Sequence, residues 1–261
     1  MRAWAFAIRA GSLPAANWTW VECRCCGILS ACPPPNRLMA VTSFFSVPFA
    51  RFRLPDAAPL NAELRDLILA REKEGARWRN PQSNMNIPNG LFESNFELFL
   101  WPERCIQQLY EFCMNQLFSV VGEVNGYTRD RLMQLELKCH AWFHVTRRNG
   151  QFNAHNHPMA SWSGVYCVQS GTSDAGESKS GVLHFQNPHQ HAGMFIDPAN
   201  EHMIDAYTSK GRNLVLSAGD LVLFPSWLFH EVFPFHGDDE RITIAFNCWF
   251  NERDPALNRF K

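Results

Sequence analysis

The chain has 261 residues, of which 46% are hydrophobic and 19% charged, enough apolar material for a sizeable core in one domain with an appendage. Its net charge of −1, with Lys and Arg scattered along the chain, provides no general attraction to nucleic acid or anionic lipid. No apolar run reaches the roughly 18 residues that a membrane span requires, so a soluble globular protein is expected, with neither nucleic acid nor membrane as partner.

Residues 1–40 read as an N-terminal extension, either disordered or an artefact of start-site choice, because better globular sequence opens at Met39. Its opening "MRAWAFAIRAGSLPAA" has a short apolar stretch that Arg9 interrupts, unlike a signal peptide. Cys23, Cys25, Cys26 and Cys32 crowd this segment without paired C-x-x-C spacing, which argues against a zinc knuckle. Cys105, Cys113, Cys139, Cys167 and Cys248 each sit singly in apolar stretches, as buried free thiols do, and so point to a reducing, cytoplasmic compartment.

The rest, residues 41–255, reads as a single domain. Apolar or small residues Leu64, Leu67, Ile68 and Ala70 predict an amphipathic helix over about 58–74, and Ile106, Leu109, Phe112, Cys113 and Leu117 predict a second over about 103–124. Between them, "RNPQSNMNIPNGLFES" is rich in Asn and Pro and reads as a loop. From about Leu132 the texture changes to short segments rich in Val, Ile, Phe, Tyr and Trp, separated by turn clusters such as "SGTSDAGESKSG" and "HGDDE". A β-rich domain fronted by helices is expected.

The chemistry is concentrated in these strands. In "HNHP", His155 and His157 are two residues apart, so an extended backbone would turn both to one face, where they could grip one metal ion. His230, in "LSAGDLVLFPSWLFHEVFPF", is the candidate third ligand. In "RITIAFNCWF", Arg241, Thr243, Ala245 and Asn247 share one face and Ile242, Ile244, Phe246 and Cys248 the other. A guanidinium inside such an apolar strand is costly unless an anion pairs with it, either a bound carboxylate or the neighbouring Asp238, Asp239 or Glu240. Tyr166 and Asn247 could line a site through hydrogen bonds or be ordinary strand residues with satisfied polar ends.

Taken in order, His155-x-His157, "SGVYCV", "GVLHFQNP", "AGDLVLFPSWLFHEVFP" and "RITIAFN" resemble a family of Fe(II)/2-oxoglutarate-dependent oxygenases in the wider prolyl-hydroxylase-like group, over roughly residues 131–250. The resemblance implies a mainly β fold with flanking α-helices, the double-stranded β-helix or jelly roll also seen in cupins. It implies Fe(II) held by His155, His157 and His230. It also implies 2-oxoglutarate held by Arg241 and Thr243, with Tyr166 and Asn247 as further candidates. The wider group has Asp or Glu where this chain has His157, and three neutral imidazoles leave the bare site one unit more positive. The expected activity is hydroxylation of a protein side chain or small metabolite with release of succinate and CO2. A three-histidine cupin-like metalloenzyme without 2-oxoglutarate and a non-catalytic jelly-roll binding module are the alternatives. Substrate selection is expected in residues 80–95 and 170–210, and a homodimer is left open.

Overall fold

The computed structural model describes residues 20–22, 29–31, 43–81, 90–189, 195–204, 206–254 and 256. The N-terminal cysteine cluster, part of the loop before residue 90 and His191 lie outside the described residues. The chain divides into two compact units, Met1–Phe44 and Phe45–Lys261. In the first, β1 (Trp20–Glu22) and β2 (Leu29–Ala31) pair as an antiparallel ribbon.

The second unit begins with β3 (Ala50–Arg53) and α1 (Ala57–Lys73), which buries Asn61, Leu64 and Ile68 on one stripe at helical spacing. The longer α2 (Arg104–Asn125) buries Ile106, Leu109, Cys113, Leu117 and Val121 in the same manner and stops at Gly126, whose φ of 64° is the left-handed cap that glycine adopts without strain. Both predicted helices are therefore present. The stretch between them departs from the loop expectation, because β4 (Leu91–Glu93) adds a strand there. The short α3 (Arg129–Met133) leads into β5 (Leu135–Thr146), β6 (Phe152–His155), β7 (Trp162–Gln169), β8 (Leu183–Phe185), β9 (Arg212–Leu214), β10 (Asp220–Pro225), β11 (His230–Val232) and β12 (Arg241–Glu252).

These strands form two antiparallel sheets, six-stranded in the order β3-β10-β7-β12-β5-β4 and four-stranded in the order β6-β11-β8-β9. The architecture is the expected double-stranded β-helix with helices on one flank. Alternation along the strands gives each face of the large sheet its own task. Trp162, Tyr166, Val168, Leu221, Leu223, Ile242, Ile244, Phe246 and Cys248 pack with the helices in one cluster. Cys167, Val222 and Phe224 join Phe152, Leu183, Phe185 and Val232 of the small sheet in a second. Arg241, Thr243 and Ala245 alternate with the helix-facing set and so lie on the face turned to the small sheet.

Candidate metal centre and anion pocket

Strand pairing brings the histidines together. β11 runs antiparallel to β6 with His230 opposite His155, and the two ring centroids are 4.4 Å apart. His157 lies beyond the end of β6, where its backbone N–H donates to the Ser226 carbonyl at 2.8 Å and the ring comes within 5.0 Å of His155 and 5.3 Å of His230. One nitrogen from each of the three falls within 4.8 Å of the others. His155 Nδ1–H donates to the Asn153 carbonyl at 2.7 Å and His230 Nδ1–H to the Leu228 carbonyl at 2.9 Å. Each bond fixes the tautomer that leaves Nε2 bare, the arrangement that orients a metal-ligating imidazole.

Two of the three rings resist protonation. Burial and then the neighbouring His155 push His230 down to about 3 and His157 to about 4. Phe185 and Phe224 pack on His230, and Trp142 lies edge-on to His157 at 5.9 Å. Three converging imidazole nitrogens are a donor set that a divalent transition metal takes.

Arg241 is 4% exposed. The acidic neighbours weighed as its partners are engaged elsewhere: Asp238 with Arg148, Asp239 with the Thr172 N–H, and Glu240 with Arg65 and Arg147. Burial lowers its proton affinity, opposed only by the Cys167 thiol, and no carboxylate among the described residues offsets the charge. Directly across the strand pair sits Thr146, fully buried, whose Oγ1 has no hydrogen-bond partner among the described residues. Thr243, 2% exposed, is two residues along β12 on the same face. A desolvated guanidinium beside an orphaned hydroxyl fits an incoming carboxylate.

His144 links the two places. It faces Thr243 across β5 and β12, and it lies opposite Glu93 of β4. Burial first lowers its proton affinity, Glu93 opposes this, and Arg241 and His155 add to the lowering, so both the guanidinium and the histidine cluster are within electrostatic reach of its ring. Thr146, His144 and Glu93 escaped the sequence reading. Only the antiparallel register of β12 with β5, and of β5 with β4, places them in the site.

Two of the anticipated residues lie elsewhere. Tyr166 is on the helix side of β7, fully buried, where its hydroxyl donates to Asn61 Oδ1 at 2.7 Å and its ring meets Phe112. Asn247 shares the strand face of Arg241 but is six residues away, about 20 Å at roughly 3.3 Å per residue, much longer than a five-carbon diacid. Its Oδ1 accepts from Ser163 Oγ at 2.6 Å, Ser163 bonds Ser226 Oγ at 2.8 Å, and the Ser226 carbonyl holds His157.

The double-stranded β-helix thus carries a cluster of three histidines that could hold a metal ion at one level and a buried guanidinium beside an unpaired hydroxyl at another. Residues 140–247, which contain all of these groups except Glu93, match the family described as "Putative 2OG-Fe(II) oxygenase". Among solved structures, a prolyl-4-hydroxylase of Pseudomonas putida is 19% identical, covering 80% of this chain and 89% of its own, with a TM-score of 0.47. A prolyl hydroxylase of Trichoplax adhaerens, solved with a peptide fragment of the hypoxia inducible factor oxygen degradation domain, is 14% identical, covering 77% and 83%, with a TM-score of 0.51. HygX of Streptomyces hygroscopicus, with nickel and 2-oxoglutarate bound, is 11% identical, covering 78% and 83%, with a TM-score of 0.47. The second likeness supports the fold. A comparison with curated proteins found no match.

Proposed function

We propose that His155, His157 and His230 hold Fe(II) through their Nε2 atoms, and that Arg241, Thr243 and Thr146 hold the distal carboxylate of 2-oxoglutarate. The observation that carries this reading is the coexistence of three converging imidazole nitrogens with a buried guanidinium that no carboxylate among the described residues neutralises. When bound together, Fe(II) and 2-oxoglutarate would supply oxidative decarboxylation with dioxygen as the oxidant, one oxygen atom entering the succinate released with CO2 and the other hydroxylating a substrate that is a protein side chain or small metabolite.

The chain's own residues bind and orient. Asn153 and Leu228 carbonyls hold two ligand rings in the metal-binding tautomer. Asn247, through Ser163 and Ser226, steadies the backbone of His157. Phe185 and Phe224 shield His230 from water, and Trp142 packs edge-on against His157. Tyr166 has no part in this reading of the site. Among the described residues no helix is long and apolar enough to cross a membrane, and the five cysteines there are free, which fits a reducing, cytoplasmic setting.

The test is anaerobic addition of Fe(II) and then 2-oxoglutarate, followed by visible absorption. Wild type is expected to bind one iron and to develop the weak charge-transfer band of the chelate, whereas His155→Ala and His230→Ala lose stoichiometric iron without losing the fold. Full iron occupancy in both variants would remove these residues from the ligand set.

A further inference from the structure

The ligand set just proposed lacks a carboxylate, and a dication, a dianionic cosubstrate and Arg241 together leave one net positive charge in a site where His155 and His157 are half-buried and His230 and Arg241 are buried. Uncompensated charge in such partly desolvated surroundings is costly. One acidic side chain among the described residues shares this interior rung. Glu93, in β4, lies opposite His144 of β5, which lies opposite Thr243 of β12, so the three form a single row across the large sheet. The next row holds Leu91, Thr146 and Arg241. The Glu93 side chain is 13% exposed, its Oε1 accepts from Asn80 Nδ2 at 2.7 Å and its Oε2 is 3.2 Å from His144 Nε2.

We infer that Glu93 is an outer-sphere carboxylate of the metal centre, a positioning residue that supplies through space, and through His144, the negative charge that His157 does not. This inference rests on the three-histidine reading. Geometry ties this row to the cluster, since the Trp142 ring lies edge-on both to His144, at 6.2 Å, and to His157, at 5.9 Å. His144 Nε2 also receives the indole N–H of Trp142 at 2.9 Å. That nitrogen cannot serve both neighbours at once, because accepting from the indole needs a bare nitrogen and donating to Glu93 a protonated one. Arriving positive charge stabilises the ionised carboxylate and hence the second arrangement. Outer-sphere partners of this type alter metal affinity by about 10–100-fold when removed.

The discriminating substitution is Glu93→Gln, which keeps the shape and one acceptor oxygen, for Asn80, and deletes the charge, its amide NH2 replacing the oxygen that faces His144. Anaerobic Mn(II) titration should show affinity about 10–100-fold weaker than wild type, with Glu93→Asp closer to wild type. The Fe(III)/Fe(II) midpoint potential of Glu93→Gln should rise, since the lost anion had stabilised the more highly charged ion; a purely structural role would leave it unchanged. In a His157→Asp background, where a carboxylate is already present, the Glu93→Gln penalty should shrink to a few-fold. Equal metal affinity and potential in wild type and Glu93→Gln overturn the inference, as does an undiminished penalty in the His157→Asp background. Should Glu93→Gln fail to fold, Glu93→Asp decides: metal affinity as poor as that of a histidine-to-alanine variant overturns the charge role. A wild type that binds no Mn(II) at the three histidines is a separate result, the failure of the ligand assignment itself.

Discussion

Thr146 has a conflict built into it. Its hydroxyl is fully buried with no hydrogen-bond partner among the described residues, and an orphaned group of this kind costs about 1–3 kcal/mol. A carboxylate held by Arg241 would remove the penalty. Thr146→Val, nearly isosteric, should therefore stabilise the ligand-free protein by about 1 kcal/mol while weakening 2-oxoglutarate binding roughly tenfold, the effect of losing one hydrogen bond to a charged group. Denaturant unfolding and calorimetry on one preparation check both signs. A variant that loses stability without losing affinity would make Thr146 a packing residue. Tyr166 is the instructive contrast: its hydroxyl is already satisfied by Asn61, so nothing about it solicits a ligand.

At the scale of elements, the site depends on how tightly the turn before β8 packs on the guanidinium. Gly181 has φ +61°, and a Cβ there would lie 2.9 Å from Arg241 Cδ and 3.3 Å from Nε. Gly181→Ala should accordingly do two things, strain a left-handed backbone position and displace the Arg241 side chain. The expected outcome is a loss of roughly 1 kcal/mol in stability together with a measurable fall in 2-oxoglutarate affinity and little change in Mn(II) affinity, since the histidines belong to other elements. If 2-oxoglutarate binding is unchanged, Arg241 does not depend on that turn. The sheets also explain which features were legible beforehand. The alternation in Arg241–Cys248 is strict, and it identified a core face and a polar face before any partner strand was known. By contrast, β4 is three residues long at the end of an Asn- and Pro-rich stretch, too short for periodicity to reveal it, and Glu93 went unnoticed with it.

Across the whole molecule, the two histidines with depressed proton affinity couple folding to pH. His157 and His230 fall from the ordinary 6.5 to about 4 and about 3 because folding buries them beside His155. The unfolded chain takes up protons first, so the stability these sites contribute is intact above about pH 6.5 and is lost as pH falls toward 4 and then 3. Each contributes a slope of at most about 1.4 kcal/mol per pH unit in that window. The thermal midpoint of metal-free protein should drop through it, and His230→Asn should flatten part of the fall; parallel profiles for the two proteins would contradict the burial argument. The long-range part of the site could not be read from the chain. His155 and His230 meet through the β6–β11 pairing, and local spacing carries no record of which strands pair. An extended backbone pairs His155 with His157 on one face, whereas the strand ends at His155 and the segment beyond it, held by the His157 N–H to Ser226 carbonyl bond, places His157. Tyr166 and Asn247 lay in the right strands, but one faces the helices and the other sits too far along β12.

The central claim is that a buried cation and a three-histidine cluster together make a 2-oxoglutarate-using centre, and calorimetric titration of 2-oxoglutarate into Mn(II)-loaded protein tests it most directly. Truncating one partner of a desolvated charge pair costs about 2–5 kcal/mol. Arg241→Ala should therefore bind 2-oxoglutarate weaker by roughly one and a half to three and a half decades at about 1.4 kcal/mol per tenfold. Arg241→Lys should recover only part, because an ammonium cannot reproduce the planar fork, and Mn(II) affinity should hardly move in either variant. Equal affinity in wild type and Arg241→Ala, or a wild type that takes up Mn(II) but no 2-oxoglutarate, would contradict the account and leave a three-histidine metal centre of another kind.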